Sequence, residues 1–353
     1  MPLGRFPVPG REQLKILIVT DAWKPQVNGV VTTLEMLGRE LKALGHEVRY
    51  ATPHGRFSVP LPTYPEIRLA IFPRQGLEKI IQDFAPDAVH IATEGTMGLS
   101  ARAICIAHNI EFTTAFHTRY PEYVHARFPF IPERWVWAWE RWFHARGVAT
   151  MARTPAMKRE LESHGFKNVR LWEGGVDVER YRPIADASWS YPKPVFLYVG
   201  RVSIEKNIEA FLKLDLPGTK VVVGPGPAAA ELARKYPDAK FLGPKSGEEL
   251  VRAYAASDAT VFPSLTDTFG LVMLESLACG TPVATFPREV MLDVVGNCAA
   301  AALDEDLGAA CRRALTLPRD LARAFVLNHS AAASTAQFLG NLQIEQPADQ
   351  PAA

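Results

Sequence analysis

Residues able to handle phosphate and sugar groups are concentrated in a few short stretches of the 353-residue sequence. In RVSIEKN, directly after the apolar run VFLYVG (195–200), Arg201 and Lys206 stand at a strand end and helix start. A planar guanidinium fork and a mobile ammonium placed there suit a diphosphate, although a solvated charge cluster would look the same. In SLTDTFGLVMLESLACGTPV (264–283), Asp267 and Glu275 lie eight positions apart around Phe269, Gly270 and Leu271. The spacing puts one carboxylate before a helix and one on it, with Thr266 or Thr268 as candidate cap. Helix amides can meet the charge of a leaving diphosphate while carboxylates accept from sugar or ribose hydroxyls; a capping Asp and a surface Glu are the alternative. VVVGPGP offers Gly224 and Gly226, small enough for a nucleotide to approach the backbone. In DAWKPQVNGVV, Asn28 and Gly29 precede a helix and suit either a phosphate or an ordinary turn and cap. This spacing is not GxGxxG, which speaks against a dinucleotide dehydrogenase.

These stretches sit on a repeating alternation of strand and helix. LKILIVT (14–20) is a β-rich run; Leu34, Leu37, Leu41 and Leu44 follow with helical spacing and Gly45 closes them. HEVRYAT, DAVHIAT (87–93) and EFTTAFH (111–117) continue the pattern, and VFLYVG, KVVVG, KFLG and ATVFPS repeat it after a Pro-, Ser- and Ala-rich segment at 183–194. The reading is α/β: two doubly wound parallel sheets, with domains at 14–182 and 195–318, a linker at 183–194 and a final helix at about 319–342 that packs back onto the first domain. Ligands of such sheets bind beyond the carboxyl ends of the strands, where the polar stretches lie. The leader MPLGRFPVPG lacks the apolar core of a secretory signal, and the tail at 343–353 is polar and Pro-rich, so it is expected to be disordered.

Composition narrows the possibilities further. With 39 Lys and Arg against 38 Asp and Glu, the chain has no overall basic field for nucleic acid. The near-neutral total conceals an asymmetry of +5 over residues 1–183 and −4 over the rest, so the first half could face an anionic surface. Four cysteines, Cys105, Cys279, Cys298 and Cys311, are too scattered for a metal motif or a disulfide framework and are expected as reduced, cytoplasmic thiols. No apolar stretch is long enough to span a membrane, so membrane contact would be peripheral. PERWVWAWERWFHAR interleaves Trp135, Trp137, Trp139 and Trp142 with Arg134, Arg141 and Arg146. That density fits either an interfacial helix or one packed on the first sheet. The acidic triplet Asp304–Asp306 reads as a solvated helix start.

Taken together and in order, RVSIEKN, GPGP, TDTFGLVMLE and ACGTPV resemble the donor-binding half of a retaining nucleotide-sugar glycosyltransferase of family 4, with the GT-B fold of two Rossmann-like domains facing a cleft. DAWKPQVNGVVTTL, FHTRYPEYV and LWEGGVD are similar to the branch that contains bacterial and plant glycolipid synthases and GDP-mannose-dependent mannosyltransferases, and the resemblance covers about residues 14–342. It implies that Arg201 and Lys206 hold the donor diphosphate, that Glu275 binds the ribose, and that Asp267 takes the place of the first glutamate of a Glu-x7-Glu motif on the donor sugar. Phe269, Gly270 and Leu271 fall where sugar and phosphate lie, Gly29 beside the diphosphate, His117 beside the reacting sugar, and Gly243 at the base pocket. Three departures stand out: Glu173-Gly174 where a small residue and an arginine are usual, Arg288-Glu289-Val290 for a Gly-Pro turn, and Ala331-Ala332 for a Trp-Glu pair.

The implied reaction moves a hexose or hexuronic acid, UDP-glucose or UDP-glucuronate being favoured as donor, to a membrane lipid hydroxyl such as diacylglycerol or ceramide. No metal and no cofactor are expected, since cations and amides serve the diphosphate. Trp135, Trp139, Trp142 and Arg146 would face an anionic membrane on its cytoplasmic side, with no nucleic-acid partner. Rival readings are a mannosyl- or glucosyltransferase of soluble glycans and a silent nucleotide-sugar binding protein.

Overall fold

A computed structural model describes residues 13–26, 28–61, 64–128 and 130–342. The leader and the tail lie outside them. The chain divides into two compact units. The first holds residues up to 125, 129–173 and from Ser334 on; the second holds 174–333 with the short piece 126–128.

In the first unit, strands β1 (Lys15–Val19), β2 (Glu47–Ala51), the hairpin pair β3 (Ser58–Leu61) and β4 (Tyr64–Ala70), β5 (Ala88–Ile91), β6 (Thr113–Ala115), β7 (Ala149–Ala152) and β8 (Val169–Leu171) occur in chain order. Six of them make a parallel sheet of order β2-β1-β5-β6-β7-β8; β3 and β4 pair antiparallel outside it. Helices α1 (Gly29–Ala43), α2 (Arg74–Phe84), α3 (Thr96–Ala107), α4 (Tyr120–Arg127), α5 (Glu133–His144) and α6 (Pro155–Ser163) connect the strands. One core cluster packs Ile16, Ile18, Leu34, Leu37 and Leu41 with Trp172, so three of the four helix-spaced leucines read from the sequence form the buried face of α1, while Leu44 follows the helix as its C-cap and is exposed.

The second unit repeats the architecture with β9 (Val195–Val199), β10 (Thr219–Val223), β11 (Lys240–Phe241), β12 (Ala259–Phe262), β13 (Val283–Thr285) and β14 (Ala301–Leu303), in the parallel order β11-β10-β9-β12-β13-β14. Its helices are α7 (Ile208–Leu212), α8 (Ala229–Lys235), α9 (Gly247–Ala255), α10 (Leu271–Ala278), α11 (Glu289–Val295), α12 (Leu307–Ala314) and α13 (Arg319–Val326). Most residues of β9, β10, β12 and β13 are buried, because both faces of a parallel sheet are covered. In each sheet the strand order reverses at one point, between β1 and β5 in the first and between β9 and β12 in the second. Ligand crevices of open sheets form at such switch points.

The division falls at 173/174, ahead of the Pro-rich segment, and the terminal helix region splits. Helix α13 belongs to the second unit, where Arg323 donates to the carbonyls of Tyr181 and Ala278 at 3.0 and 3.1 Å. Helix α14 (Ala331–Leu342) is assigned to the first unit from Ser334, with Phe338 and Leu342 buried in its core.

Candidate donor site and the matching loops of the first unit

At the switch point of the second unit, the loop after β9 carries Arg201 and Lys206, the latter ending a 3-10 turn at Ile204–Lys206, and the loop after β12 carries Asp267. Three contacts lock the loops together. Asn207 Nδ2 donates to the Pro263 carbonyl at 3.0 Å, Thr266 Oγ1 donates to the Glu205 carbonyl at 3.4 Å, and Lys206 Nζ pairs with Asp267 Oδ1 at 2.5 Å. Neither Asp267 nor either threonine caps α10. Helix α10 starts at Gly270, in the left-handed region at φ 84°, without a side-chain cap. The positive φ favours glycine here, and a Cβ at 270 would also press on the end of the Met273 side chain, 2.8 Å away. Leu271 opens the helix, and its first amides have no capping side chain.

Polar atoms without partners gather on these two loops. Among the described residues, the hydroxyls of Ser203 and Ser264 and Oδ2 of Asp267 are buried and make no hydrogen bond. Buried polar groups are normally satisfied, so a ligand with several hydroxyl or phosphate oxygens suits this crevice. Sequence reasoning missed both serines, because a lone Ser beside a strand end carries no periodic or motif signal.

Glu275 is buried at 7% exposure, which rules out the surface-Glu alternative. Its Oε2 accepts from the Tyr254 hydroxyl at 2.8 Å, and the Tyr181 hydroxyl also donates to it. Burial raises the carboxyl pKa, the two tyrosine bonds opposing the shift.

The glycines have a different immediate role from the one expected. At Gly224 (φ 141°) a Cβ would lie 1.9 Å from the Gly200 carbonyl oxygen, and at Gly226 2.1 Å from that of Val202. Both are needed because the loops after β9 and β10 touch backbone to backbone, which explains them without a nucleotide. The Gly243 carbonyl accepts from the Gly224 amide at 2.9 Å, and a Cβ there would meet nothing within 4 Å. The departure at Gly174 has a packing cause. A Cβ at 174 would lie 2.1 Å from the ring of Phe269, itself buried at 5% exposure, so no arginine fits there. Arg288 ends up ahead of α11 and pairs with Glu305. The acidic triplet is a helix start as read: Asp306 accepts from the amides of Gly308 and Ala309 at the head of α12.

In the first unit Asn28 caps α1, its Oδ1 accepting from the Val31 amide at 3.0 Å, with Gly29 exposed as the first helical residue. The same loop hides a residue that motif reading passed over. The Asp21 carboxylate accepts from the amides of Met97 and Gly98 at 2.9 and 3.3 Å and from Thr93 Oγ1 at 3.0 Å, closing the head of α3 from across the switch point. A Cβ at Gly95 would lie 2.4 Å from Asp21 Cγ. His117 follows β6, edge-on to Trp172 at 5.6 Å. Burial, then Arg153 and two further histidines, hold its pKa well below the usual histidine value, so the imidazole is neutral at pH 7.

Helix α5 divides its aromatic residues between two faces. Trp137 is buried at 6% exposure and stacks on His164 at 3.8 Å, whereas Trp135, Trp139 and Trp142 are 63%, 38% and 51% exposed. Positions 135, 139 and 142 form one i, i+4, i+7 stripe, flanked by exposed Arg134, Arg141 and Arg146. Arg102 stacks over the Trp142 ring at 4.0 Å.

Comparison with known proteins settles the class. The model described as Glycosyltransferase Family 4 matches residues 27–180, and the one described as Glycosyl transferases group 1 matches 193–317. The chain belongs to the GT-B glycosyltransferases of family 4. Among its relatives, this glycosyltransferase is similar to a GDP-mannose-dependent alpha-mannosyltransferase of Mycobacterium tuberculosis, at 29% identity over 79% of the chain and 81% of the relative. It is also similar to the alpha-monoglucosyldiacylglycerol synthase of Streptococcus pneumoniae, at 26% identity over 87% and 80% respectively. The sucrose-phosphate synthase structure from Thermosynechococcus elongatus superposes with TM-score 0.75 at 21% identity, covering 93% of this chain and 98% of that one, which shows the shared fold. The chain is thus a glycosyltransferase using a nucleotide sugar. Among the described residues no helix is long and apolar enough to cross a membrane.

Proposed function

We propose that the chain moves a hexose or hexuronic acid, with retention of the α configuration, from a UDP-glucose- or UDP-glucuronate-type donor to the hydroxyl of a membrane lipid such as diacylglycerol or ceramide. The observation that carries the acceptor half is the tryptophan stripe of α5. Three exposed indoles with interleaved arginines on the basic half of the chain match a helix lying in a lipid interface, where rings bury at headgroup level and cations meet anionic lipid. The diacylglycerol-linked name of one relative supports the same acceptor class. The protein then acts peripherally, on the cytoplasmic face of the membrane.

On the donor side, Arg201, Lys206 and the open amides of α10 take the diphosphate, and this set replaces a divalent metal at the leaving group. Asp267, through its unpartnered Oδ2, accepts from donor-sugar hydroxyls, and Glu275 accepts from the ribose. Phe269, Gly270 and Leu271 line the sugar and Gly243 the base; in the first unit, Asn28 and Gly29 at the head of α1 form a phosphate-binding turn. His117, neutral by burial, offers a hydrogen bond to the reacting sugar rather than a charge.

A second reading, GDP-mannose transfer to a soluble glycan, is favoured by the name of the mannosyltransferase relative. Thermal shift with UDP, GDP and their sugars separates the donors, since a bound nucleotide stabilises by mass action. Radiolabelled product partitioning into organic solvent separates the acceptors; product confined to water overturns the lipid assignment.

A further inference from the structure

Within the first unit, three ionisable side chains meet in the interior. Glu94, in the turn between β5 and α3, is 4% exposed; Glu140 and His144, four residues apart on α5, are 0% and 2% exposed. His144 Nε2 stands 3.4 Å from Glu94 Oε1 and 3.4 Å from Glu140 Oε2. Among the described residues, His144 Nε2, Glu94 Oε1 and both Glu140 oxygens make no hydrogen bond. Two buried carboxylates facing one imidazole nitrogen, with nothing between them, is an arrangement that needs a positive charge at its centre.

The orientation of the imidazole shows which atom faces that charge. Thr114 Oγ1 is 2.7 Å from His144 Nδ1 and itself donates toward Thr150 Oγ1 at 3.3 Å. With Thr114 accepting from Nδ1–H, Nε2 faces the two carboxylates; against the effect of burial, their charge raises the histidine pKa to about 9, so the centre is filled either by the proton of an imidazolium or by a metal ion that displaces it. A metal-ligating histidine is held in this way, its outer nitrogen fixed by a hydrogen-bond partner. The spacing agrees. Charge-assisted hydrogen bonds close to about 2.7–2.9 Å, shorter than the gaps here. In a tetrahedral zinc site with ligands about 2.0–2.1 Å from the ion, neighbouring ligand atoms stand about 3.3–3.4 Å apart. One ligand atom from each of the three residues can be chosen so that all lie within 4.8 Å of one another.

We propose that Glu94, Glu140 and His144 hold one divalent first-row transition-metal ion of the zinc type, a structural site that ties α5 to the turn after β5. Its three residues belong to the first unit, whereas Arg201, Lys206 and Asp267 belong to the second. Its effect is to fix the helix that displays Trp135, Trp139 and Trp142.

The test is to refold the full chain from denaturant with and without Zn2+, pass it through gel filtration, and determine metal content and Tm. The expected result is about one zinc per chain and a Tm raised by several degrees, with Co2+ in place of Zn2+ giving the visible absorption of a tetrahedral site. Glu140→Gln, nearly isosteric, should fold and retain no metal, and His144→Gln should behave alike. A wild-type chain that retains no zinc overturns the proposal, with a shared proton then holding the cluster. So does a Glu140→Gln chain that retains as much zinc as the wild type. The wild-type stoichiometry and the Co2+ spectrum decide the matter even if both variants fail to fold.

Discussion

Lys206 Nζ is joined to Asp267 Oδ1 across 2.5 Å, with the two side chains 23% and 16% exposed, so the cation assigned to the donor diphosphate is already matched by the acid assigned to the donor sugar. The pair links the two loops that border the switch point. It also neutralises one of the two cations in the loop after β9 before any ligand arrives, and leaves Oδ2 of Asp267 buried without a hydrogen bond.

Lys206→Ala should lower donor affinity and turnover together, each by about tenfold or more, because a phosphate-directed charge is lost from both ground and transition states. Asp267→Asn should behave differently. It releases Lys206, so the bare nucleoside diphosphate binds as well or better while sugar transfer falls. Calorimetry with the diphosphate alone, set beside kcat and KM, distinguishes the two; equal losses in both variants would contradict the division of roles.

Glu275→Gln should weaken donor binding by about 1.5–3 kcal/mol, the range for a hydrogen bond to a charged group. Because burial raises this carboxyl's pKa, donor affinity should fall as pH drops through a value above that of an ordinary glutamate. The stability term has the opposite slope: a raised folded-state pKa favours the protonated form, so its contribution grows as pH falls. Donor titrations and urea midpoints across pH 4–7 check both slopes.

Gly174→Ala should destabilise by about 1–3 kcal/mol, the cost of overpacking, since its new methyl must displace the Phe269 ring. Gly174→Arg, which writes in the residue usual at this position in the family branch, should be worse rather than restorative. Denaturant midpoints are the measurement.

Asp21→Ala should cost about 2 kcal/mol or more, as the amides of Met97 and Gly98 lose a charged acceptor in a buried place. Asp21→Asn, which keeps one acceptor oxygen, should cost less. Hydrogen exchange at those two amides should accelerate in the alanine variant while distant strands in the second unit stay protected.

Trp135→Ala, Trp139→Ala and Trp142→Ala combined should abolish co-sedimentation with anionic liposomes while leaving Tm near wild type. Trp137→Ala should lower stability by about 3–5 kcal/mol, as for any buried aromatic truncation. Pelleting that survives the triple variant, or never occurs, would remove the membrane surface from the proposal.

The alternation of apolar strand runs and helix-spaced leucines was enough to reveal two doubly wound sheets, because burial on both faces writes itself into composition. The loops carrying Arg201, Lys206 and Asp267 were legible for the same reason: strand ends locate the crevice. Strand β8 is only three residues long, and β3 contains Pro60, so their local signals were weak or contradictory. The partners of Glu275 were invisible, since Tyr181 and Tyr254 reach it from distant chain positions and nothing in either neighbourhood marks the meeting. Gly174 likewise looked like a lost cation until Phe269 was found filling the space behind it. Asp21 opens the stretch DAWKPQVNGVV, but its task of capping a helix from another strand's loop leaves no trace in spacing.

Helix α14 has a consequence for biosynthesis. Phe338 and Leu342 complete the core around Trp172, and Asn341 Nδ2 donates to the Leu171 carbonyl at 2.7 Å, yet these residues are translated after the whole of the second unit. On the ribosome the first sheet therefore waits with an apolar face uncovered while some 160 residues of the other unit are made. Its native core closes only after the second unit has been made, so the unit that starts first is completed second. A chain that stopped before Phe338 would carry the whole second unit beside a first unit with part of its core missing.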